Sequence, residues 1–303
     1  MIGKQGMKIA VTGASGLVGS QLVAFLSTGG HEIVSLVRAE PDRGQVLWNP
    51  KAGQVDTQGL AGVNAVVHLA GENIAVGRWS PAKKRRIRES RVAGSRLIAE
   101  KLAAMDPKPD VLVCASAIGY YGDRGATKLD ESSDPGTGYL ADVCRDWEDA
   151  CQPAREAGIR VVNARIGVVI TPRGGALAKM LPPFKMGVGG KVAGGDQFWS
   201  WVSIEDVVGA LHHAIMNESI SGPLNVVSPE PLTNSAFTKV LGKVLRRPTI
   251  FPMPAFVAKM ALGEMANDLL LSSTRVLPTR LLETGYEFRH PTLETALHAL
   301  LGK

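Results

Sequence analysis

Lys8-Ile9-Ala10-Val11-Thr12-Gly13-Ala14-Ser15-Gly16-Leu17-Val18-Gly19 is the stretch that decides the fold. A short apolar run, the pattern of a fully buried strand, leads straight into glycines at 13, 16 and 19. Apolar residues at helical spacing follow over 17–26. Strand, glycine-rich turn and helix, in that order, is the context in which such glycines cradle a dinucleotide. Gly13 allows the sharp turn, Gly16 clears the approach of a pyrophosphate to the backbone, and Gly19 lets the helix pack closely on the strand. The free amides and positive end of that helix then hold the phosphates. Thr12, Gly13, Ser15, Gly16, Leu17, Val18 and Gly19 are therefore the candidate phosphate-binding residues. The spacing is G-x-x-G-x-x-G rather than G-x-G-x-x-G, and a turn serving packing alone is the plain alternative.

Outward from this stretch, Gly29-Gly30 ends the helix and residues 31–37 alternate into a second strand closed by Arg38. An acid at this place would bind the ribose 2′-hydroxyl of NAD; an arginine favours the 2′-phosphate of NADP. Residues 35–38 contain no acid, and Glu40 comes two positions later, so NADP(H) is the expected cofactor. A surface role is the alternative for Arg38. Residues 65–69 read as another buried strand, and the small pair Ala70-Gly71 after Leu69 lets a cofactor ribose pass close by, so Leu69, Ala70 and Gly71 join the cofactor set.

Residues 80–105 carry a long helical pattern with Ser80 as N-cap and Pro81 in the first turn. Residues 110–115 read as a strand, Tyr139 opens a helix, and 160–170 reads as one further strand that includes Arg165. Alternating strands and helices predict an α/β protein, a Rossmann-type doubly wound parallel sheet. In such sheets ligands lie beyond the carboxyl ends of the strands, which points to the segment 116–124. The texture changes after residue 170. A glycine-rich loop over 187–203 carries Trp199 and Trp201 and reads as a cover for the substrate. Helices are expected over 204–216, from 233–234 to 246, and over 293–301. The expected division is a nucleotide-binding core at 7–170, a mixed region at 171–247 that completes the core and the substrate cleft, and a small helical C-terminal domain at 248–303.

The net charge of +6 is mild, and much of it falls in Lys83-Lys84-Arg85-Arg86 with Arg88. No aromatic residue interleaves with that run, so a solvated helix face is expected rather than a nucleic-acid surface. Three cysteines make no disulfide framework, and with no metal-ligand spacing they point to a reducing, cytoplasmic setting. No apolar run is long enough to span a bilayer, so no membrane partner is expected. Residues 1–6 read as a disordered leader, with Met7 as a second plausible start.

The glycine motif with Thr12, the strand end Leu69-Ala70-Gly71 and the region from Ser116 to Tyr139 resemble the extended short-chain dehydrogenase/reductases. One branch is closer. Ser116-Ala117-Ile118-Gly119-Tyr120-Tyr121-Gly122, Asp146-Trp147-Glu148, Gly174-Gly175-Ala176-Leu177 and Ser200-Trp201-Val202 resemble the atypical epimerase-family group, as do Arg247-Pro248 and Gly285-Tyr286-Glu287-Phe288. That group carries a small C-terminal domain of unknown function. The resemblance implies an NADP-dependent oxidoreductase or epimerase acting on a small polar carbonyl or sugar-like substrate. In the extended group a Ser or Thr, a Tyr, and a Lys four residues after the Tyr carry out proton transfer. Here Val143 stands four residues after Tyr139, and the Ser/Thr position falls on Ala117 beside Ser116. Alignment on Glu148 instead moves the Tyr position to Leu140 and the Lys position to Cys144. Ser116, Tyr139 and Tyr120 are the candidate catalytic residues, with Asp146 and Glu148 read as exposed helix charge. The missing Lys supports an alternative, an NADP-binding regulatory or sensor protein. The extended group commonly dimerises through helices, which leaves a homodimer open.

Overall fold

The structure is a computed structural model that describes residues 6–303. Residues 1–5, and with them most of the expected leader, lie outside the described residues. The first half runs β1 (Lys8–Thr12), α1 (Leu17–Thr28), β2 (Glu32–Val37), β3 (Gln45–Asn49), β4 (Gln54–Val55), β5 (Ala65–His68), α2 (Pro81–Ala103) and β6 (Val111–Ala117). A 3-10 turn, Ile118–Tyr121, then leads to β7 (Lys128–Leu129), α3 (Tyr139–Asp149), α4 (Gln152–Glu156), β8 (Arg160–Ile166) and β9 (Val168–Thr171). Next come α5 (Gly175–Lys185), β10 (Phe198–Trp199), β11 (Trp201–Ser203), α6 (Ile204–Met216), β12 (Gly222–Val226), β13 (Leu232–Thr233) and α7 (Asn234–Leu245). The chain closes with α8 (Ala255–Leu262), a π turn at Asn267–Leu271, β14 (Arg275–Val276), α9 (Thr279–Glu283) and α10 (Leu293–Leu301).

Eight strands form the central sheet in the order β12-β8-β6-β5-β1-β2-β3-β4. Neighbours are parallel except for the short β3–β4 edge pair. Strand alternation sends Ile9 and Val11 to a face covered by Leu22 and Leu26 of α1 and by Val207 and Leu211 of α6. Ala10, Val66 and Leu112 point the other way, onto Ile98 and Leu102 of α2 and Trp147 of α3. Burial on both faces is why these strands read as continuous apolar runs. The fold is thus an α/β doubly wound sheet with a helical C-terminal region.

A third core packs α5, α7 and α10 around Trp199, Trp201 and Phe237, drawing on both sides of residue 247. The two tryptophans of the glycine-rich loop are therefore core residues, and they order the loop by burial rather than by lining a cleft. The expected single strand over 160–170 breaks at Gly167. A Cβ there would lie 2.5 Å from the Ser200 carbonyl oxygen, so the chain turns, and β9 pairs with β11 instead of the central sheet. Helix α2 starts as its sequence predicts, with the Ser80 hydroxyl accepting from the Lys83 amide and Pro81 in the first turn. Cys114, Cys144 and Cys151 are free and buried. Among the described residues no helix is long and apolar enough to cross a membrane.

Candidate functional site

Strand order reverses at β1, which has β2 on one side and β5 on the other. In a doubly wound sheet the loops that leave the strands at such a point separate, and ligands lie in the crevice between them at the carboxyl edge. On the β1 side the chain turns through Gly13 at φ +70°, a conformation that L side chains rarely adopt. A Cβ on Gly13 would also stand 3.0 Å from the Ala70 amide. Gly16 is the N-cap of α1, and no side chain caps that helix, so its first-turn amides are left for another acceptor. A Cβ on Gly19 would come within 2.1 Å of the Gly13 carbonyl oxygen, and this contact seats α1 against the turn. Ser15 and Gly16 are exposed, Leu17 and Val18 are half-buried, and Leu17 faces Gly174 at the start of α5. Arg38 is exposed just past β2, with no ion pair among the described residues.

Thr12 faces inward. Its Oγ1 accepts from the Leu69 amide at 3.1 Å and the Ala70 amide at 3.2 Å, and it lies 2.7 Å from Nδ1 of His68. With two amides donating to that oxygen, the hydroxyl proton goes to Nδ1, which assigns the neutral Nε2–H tautomer to His68. Complete burial pushes the His68 pKa down to about 4, consistent with a neutral ring. Thr12 thus ties the end of β1 to the Leu69-Ala70 turn. Gly71 is exposed, and the Arg91 guanidinium lies beside it, 3.5 Å from where a Gly71 Cβ would stand. Arg91 donates to the Glu72 and Ile87 carbonyls and stacks on Trp147; burial lowers its pKa.

At the ends of β6 and β8 lies a buried polar network. Arg165 donates through Nε and Nη2 to both carboxylate oxygens of Glu148, each at 2.8 Å. The Ser116 hydroxyl donates to Glu148 Oε1 at 2.7 Å. Arg165 also donates to the Tyr121 hydroxyl at 2.9 Å, and Tyr121 donates to Asn225 Oδ1 at 2.7 Å. Burial opposes the Arg165 charge, but the hydrogen bonds and charge of Glu148 outweigh it and raise the pKa. Burial pushes Tyr121 up to about 12, against the opposing pull of Arg165 and Asn225. Tyr120 lays its ring on the Arg165 guanidinium, 3.4 Å to the centroid, and its hydroxyl makes no hydrogen bond among the described residues. The reading of Glu148 as exposed helix charge is corrected. It takes a place on the buried face of α3 with Cys144 and Trp147, a signal visible in the three- and four-residue spacing.

The other frame also resolves. A Cβ on Gly119 would lie 3.3 Å from Cβ of Leu140 and 3.8 Å from Sγ of Cys144, and Cys144 sits against the Ala117 backbone. Burial pushes the Cys144 thiol up to about 12, so it is not a thiolate at neutral pH. Ala117, Leu140 and Cys144, the positions that alignment on Tyr121 and Glu148 assigns to proton transfer, are therefore brought together without a proton-transfer group. Tyr139 lies outside this cluster. Its hydroxyl donates to the Lys84 carbonyl at 2.7 Å, its ring meets Trp79 edge-on, and burial raises its pKa. It borders a cavity of about 370 Å³ with Trp79, Lys84, Arg88 and Glu264. The basic run is only partly a solvated face, because Lys83 is buried against Glu72 at 2.6 Å.

A doubly wound sheet with a glycine turn at its switch point defines a dinucleotide-binding class of protein. Residues 9–226 match the NAD dependent epimerase/dehydratase family, and the chain belongs to that family. Residues 253–300 match a domain of unknown function, DUF1731. The chain is 42% identical over 290 residues to epimerase family protein Mb2239 of Mycobacterium bovis, covering 95% of this chain and 96% of that protein. It is similar to the crystal structure of human epimerase family protein SDR39U1 (isoform 2) with NADPH, at TM-score 0.90 and 31% identity, covering 98% of this chain and 100% of that one. It is also similar to a nucleoside-diphosphate sugar epimerase structure from Corynebacterium glutamicum, at TM-score 0.81 and 38% identity, covering 98% of this chain and 59% of that one. The family resemblance read from the motifs at 116–122, 146–148 and 174–177 is borne out.

Proposed function

We propose that this protein binds NADP(H) across the β1/β5 switch point and uses it as an oxidoreductase or epimerase on a small polar carbonyl or sugar-like substrate. The observation that carries this reading is the uncapped start of α1, presented by Gly13, Gly16 and Gly19 in a turn too tight for side chains. The fit is one of chemistry: first-turn amides that no side chain caps for the phosphates, an Arg38 without an ion pair among the described residues for the 2′-phosphate, and Leu69-Ala70-Gly71 for a ribose. The NADPH-bound human relative supports the same cofactor. Bound NADP(H) supplies hydride exchange at a substrate carbon.

Among this chain's own residues, Tyr120 is the group to exchange a proton with the substrate oxygen, because its hydroxyl is uncommitted and Arg165 backs its ring. Ser116 commits its proton to Glu148, so its oxygen would act as an acceptor that orients substrate. Tyr139 and Arg91 would line the substrate side. On this reading residues 7–170 bind the nucleotide, residues 171–247 complete the core and the substrate cleft, and residues 248–303 form a small helical C-terminal domain. The three buried, free cysteines fit a cytoplasmic setting.

The test is a fluorescence titration with NADPH and, separately, NADH, repeated on Arg38→Ala and Gly16→Val. NADPH should bind more tightly than NADH. Arg38→Ala should weaken NADPH by roughly tenfold and leave NADH unchanged, and Gly16→Val should weaken both. No binding of either nucleotide overturns the reading. The second reading, an NADP-binding sensor, is favoured by the cluster Ala117–Leu140–Cys144. NADPH binding without turnover across a panel of carbonyl substrates, together with a nucleotide-dependent protein partner, would support it.

A further inference from the structure

Large apolar side chains stand exposed on one face of the C-terminal region: Met186 (70%), Ile250 (72%), Phe256 (69%) and Met260 (68%), with Phe251 and Met253 between them. The segments 185–191 and 246–260 that carry them are joined edge to edge. The Met253 amide donates to the Lys191 carbonyl at 2.8 Å, the Ala193 amide donates to the Met253 carbonyl at 2.9 Å, and Arg247 Nε donates to the Lys185 carbonyl at 2.8 Å. Phe256 and Met260 sit one turn apart on α8, whose opposite side buries Ala258. An apolar patch of this kind on a soluble domain marks a contact surface.

The charge around the patch selects its occupant. The two segments hold Lys185, Lys191, Arg246, Arg247 and Lys259 and contain no Asp or Glu. A cavity of about 410 Å³ adjoins them, lined by Lys185, Arg247, Lys303, Leu245 and Leu301, again without an acid. A second copy docked symmetrically here would bring cation against cation. Moreover, the apolar residues protrude from a Pro-punctuated turn and a short helix rather than lining a groove for a peptide. Protruding Phe, Met and Ile inside a basic rim are the chemistry of an interface with anionic lipid.

We propose that this face docks peripherally on an anionic phospholipid surface. Ile250, Phe251, Phe256 and Met260 enter the headgroup–acyl boundary, and the basic cavity takes a lipid phosphate. The absence of a spanning run does not bear on this contact, which lies in the interfacial plane.

The experiment is co-sedimentation of the full chain with vesicles of phosphatidylcholine alone or with about one-third phosphatidylglycerol. Binding is expected to the anionic vesicles only and to weaken at high salt. The double variant Phe256→Asp/Met260→Asp should lower vesicle binding by about tenfold or more, and Lys185→Glu/Lys259→Glu should lower it and flatten the salt dependence. NADPH titration of each variant serves as the folding control, since none of these residues touches the nucleotide crevice; unchanged NADPH binding with lost vesicle binding supports the proposal. Inorganic phosphate that fails to compete separates a lipid surface from a free-phosphate site, and full competition by millimolar phosphate overturns the lipid assignment. No binding to anionic vesicles, equal binding to neutral ones, or a dimer in gel filtration that Phe256→Asp/Met260→Asp dissociates would each overturn it.

Discussion

The two ends of the crevice handle their polar groups in opposite ways. At the β1–α1 end the donors are left open: no side chain caps the start of α1, Arg38 has no ion pair among the described residues, and the glycines remove side chains that would cover the amides. At the β6–β8 end nearly every polar group is turned onto another. Ser116 and Arg165 meet on Glu148, and Tyr121 bridges Arg165 to Asn225. The first arrangement leaves donors facing outward, whereas the second satisfies its groups within the protein. On the proposed function the open donors are what a bound nucleotide would engage, and a cluster of reactive residue types is not in itself a reaction centre.

The largest effect should come from breaking the closed end. Glu148→Leu leaves the Arg165 cation buried without its carboxylate and should cost about 3–5 kcal/mol of stability. Urea unfolding measures it. If the two ends are independent, the folded variant still binds NADPH with unchanged affinity; a parallel loss of binding would show that the ends are coupled.

Breaking the open end should reverse the pattern. In Gly19→Ala the new Cβ meets the Gly13 carbonyl oxygen at 2.1 Å, so the turn must shift. NADPH affinity should fall by about a hundredfold, near 2.7 kcal/mol. An unchanged titration would mean that the turn does not hold the phosphates.

How far these ends were legible in the sequence follows from the same contrast. The open end could be read because its signal is local: three glycines, a strand and a helix lie within a dozen residues. The order of the main strands and the bounds of α6 and α10 were equally local, set by apolar periodicity and caps. The closed end joins residues from β6, α3, β8 and β12, and no short window contains Ser116, Glu148, Arg165 and Asn225 together. Glu148 looked like surface charge because charge is usually exposed, and only its helical phase beside Trp147 pointed inward. The break at Gly167 was hidden for a similar reason, since it depends on the distant Ser200 carbonyl.

Acid should distinguish the ends as well. The open end is anchored by a neutral pair, Thr12 and His68, with the His68 pKa pushed down from 6.5 to about 4 by burial. Below pH 6.5 the unfolded chain takes up a proton that the folded chain refuses, so this contribution is intact above that pH, falls as pH drops, and levels off below about 4. Between pH 7 and 5 the loss from this group should be about 2 kcal/mol. Comparing urea midpoints of the wild type and His68→Gln at the two pH values isolates it. Equal pH dependence in both proteins would place the acid sensitivity elsewhere.

The smallest stability effects bear most directly on function. Tyr139→Phe removes the hydrogen bond to the Lys84 carbonyl and should cost about 1 kcal/mol. Tyr120→Phe removes a hydroxyl with no partner among the described residues, and stability should stay within about 0.5 kcal/mol of the wild type. If turnover is found on any carbonyl substrate, Tyr120→Phe should lower kcat by about a hundredfold or more, and Tyr139→Phe should leave most of it. The reverse ranking would return the proton-transfer role to Tyr139, whose hydroxyl would then have to leave the Lys84 carbonyl when substrate binds. A residue that costs nothing to remove from the fold yet is needed for turnover is the signature of a group held for chemistry. Tyr120 is the residue at the closed end placed to show it.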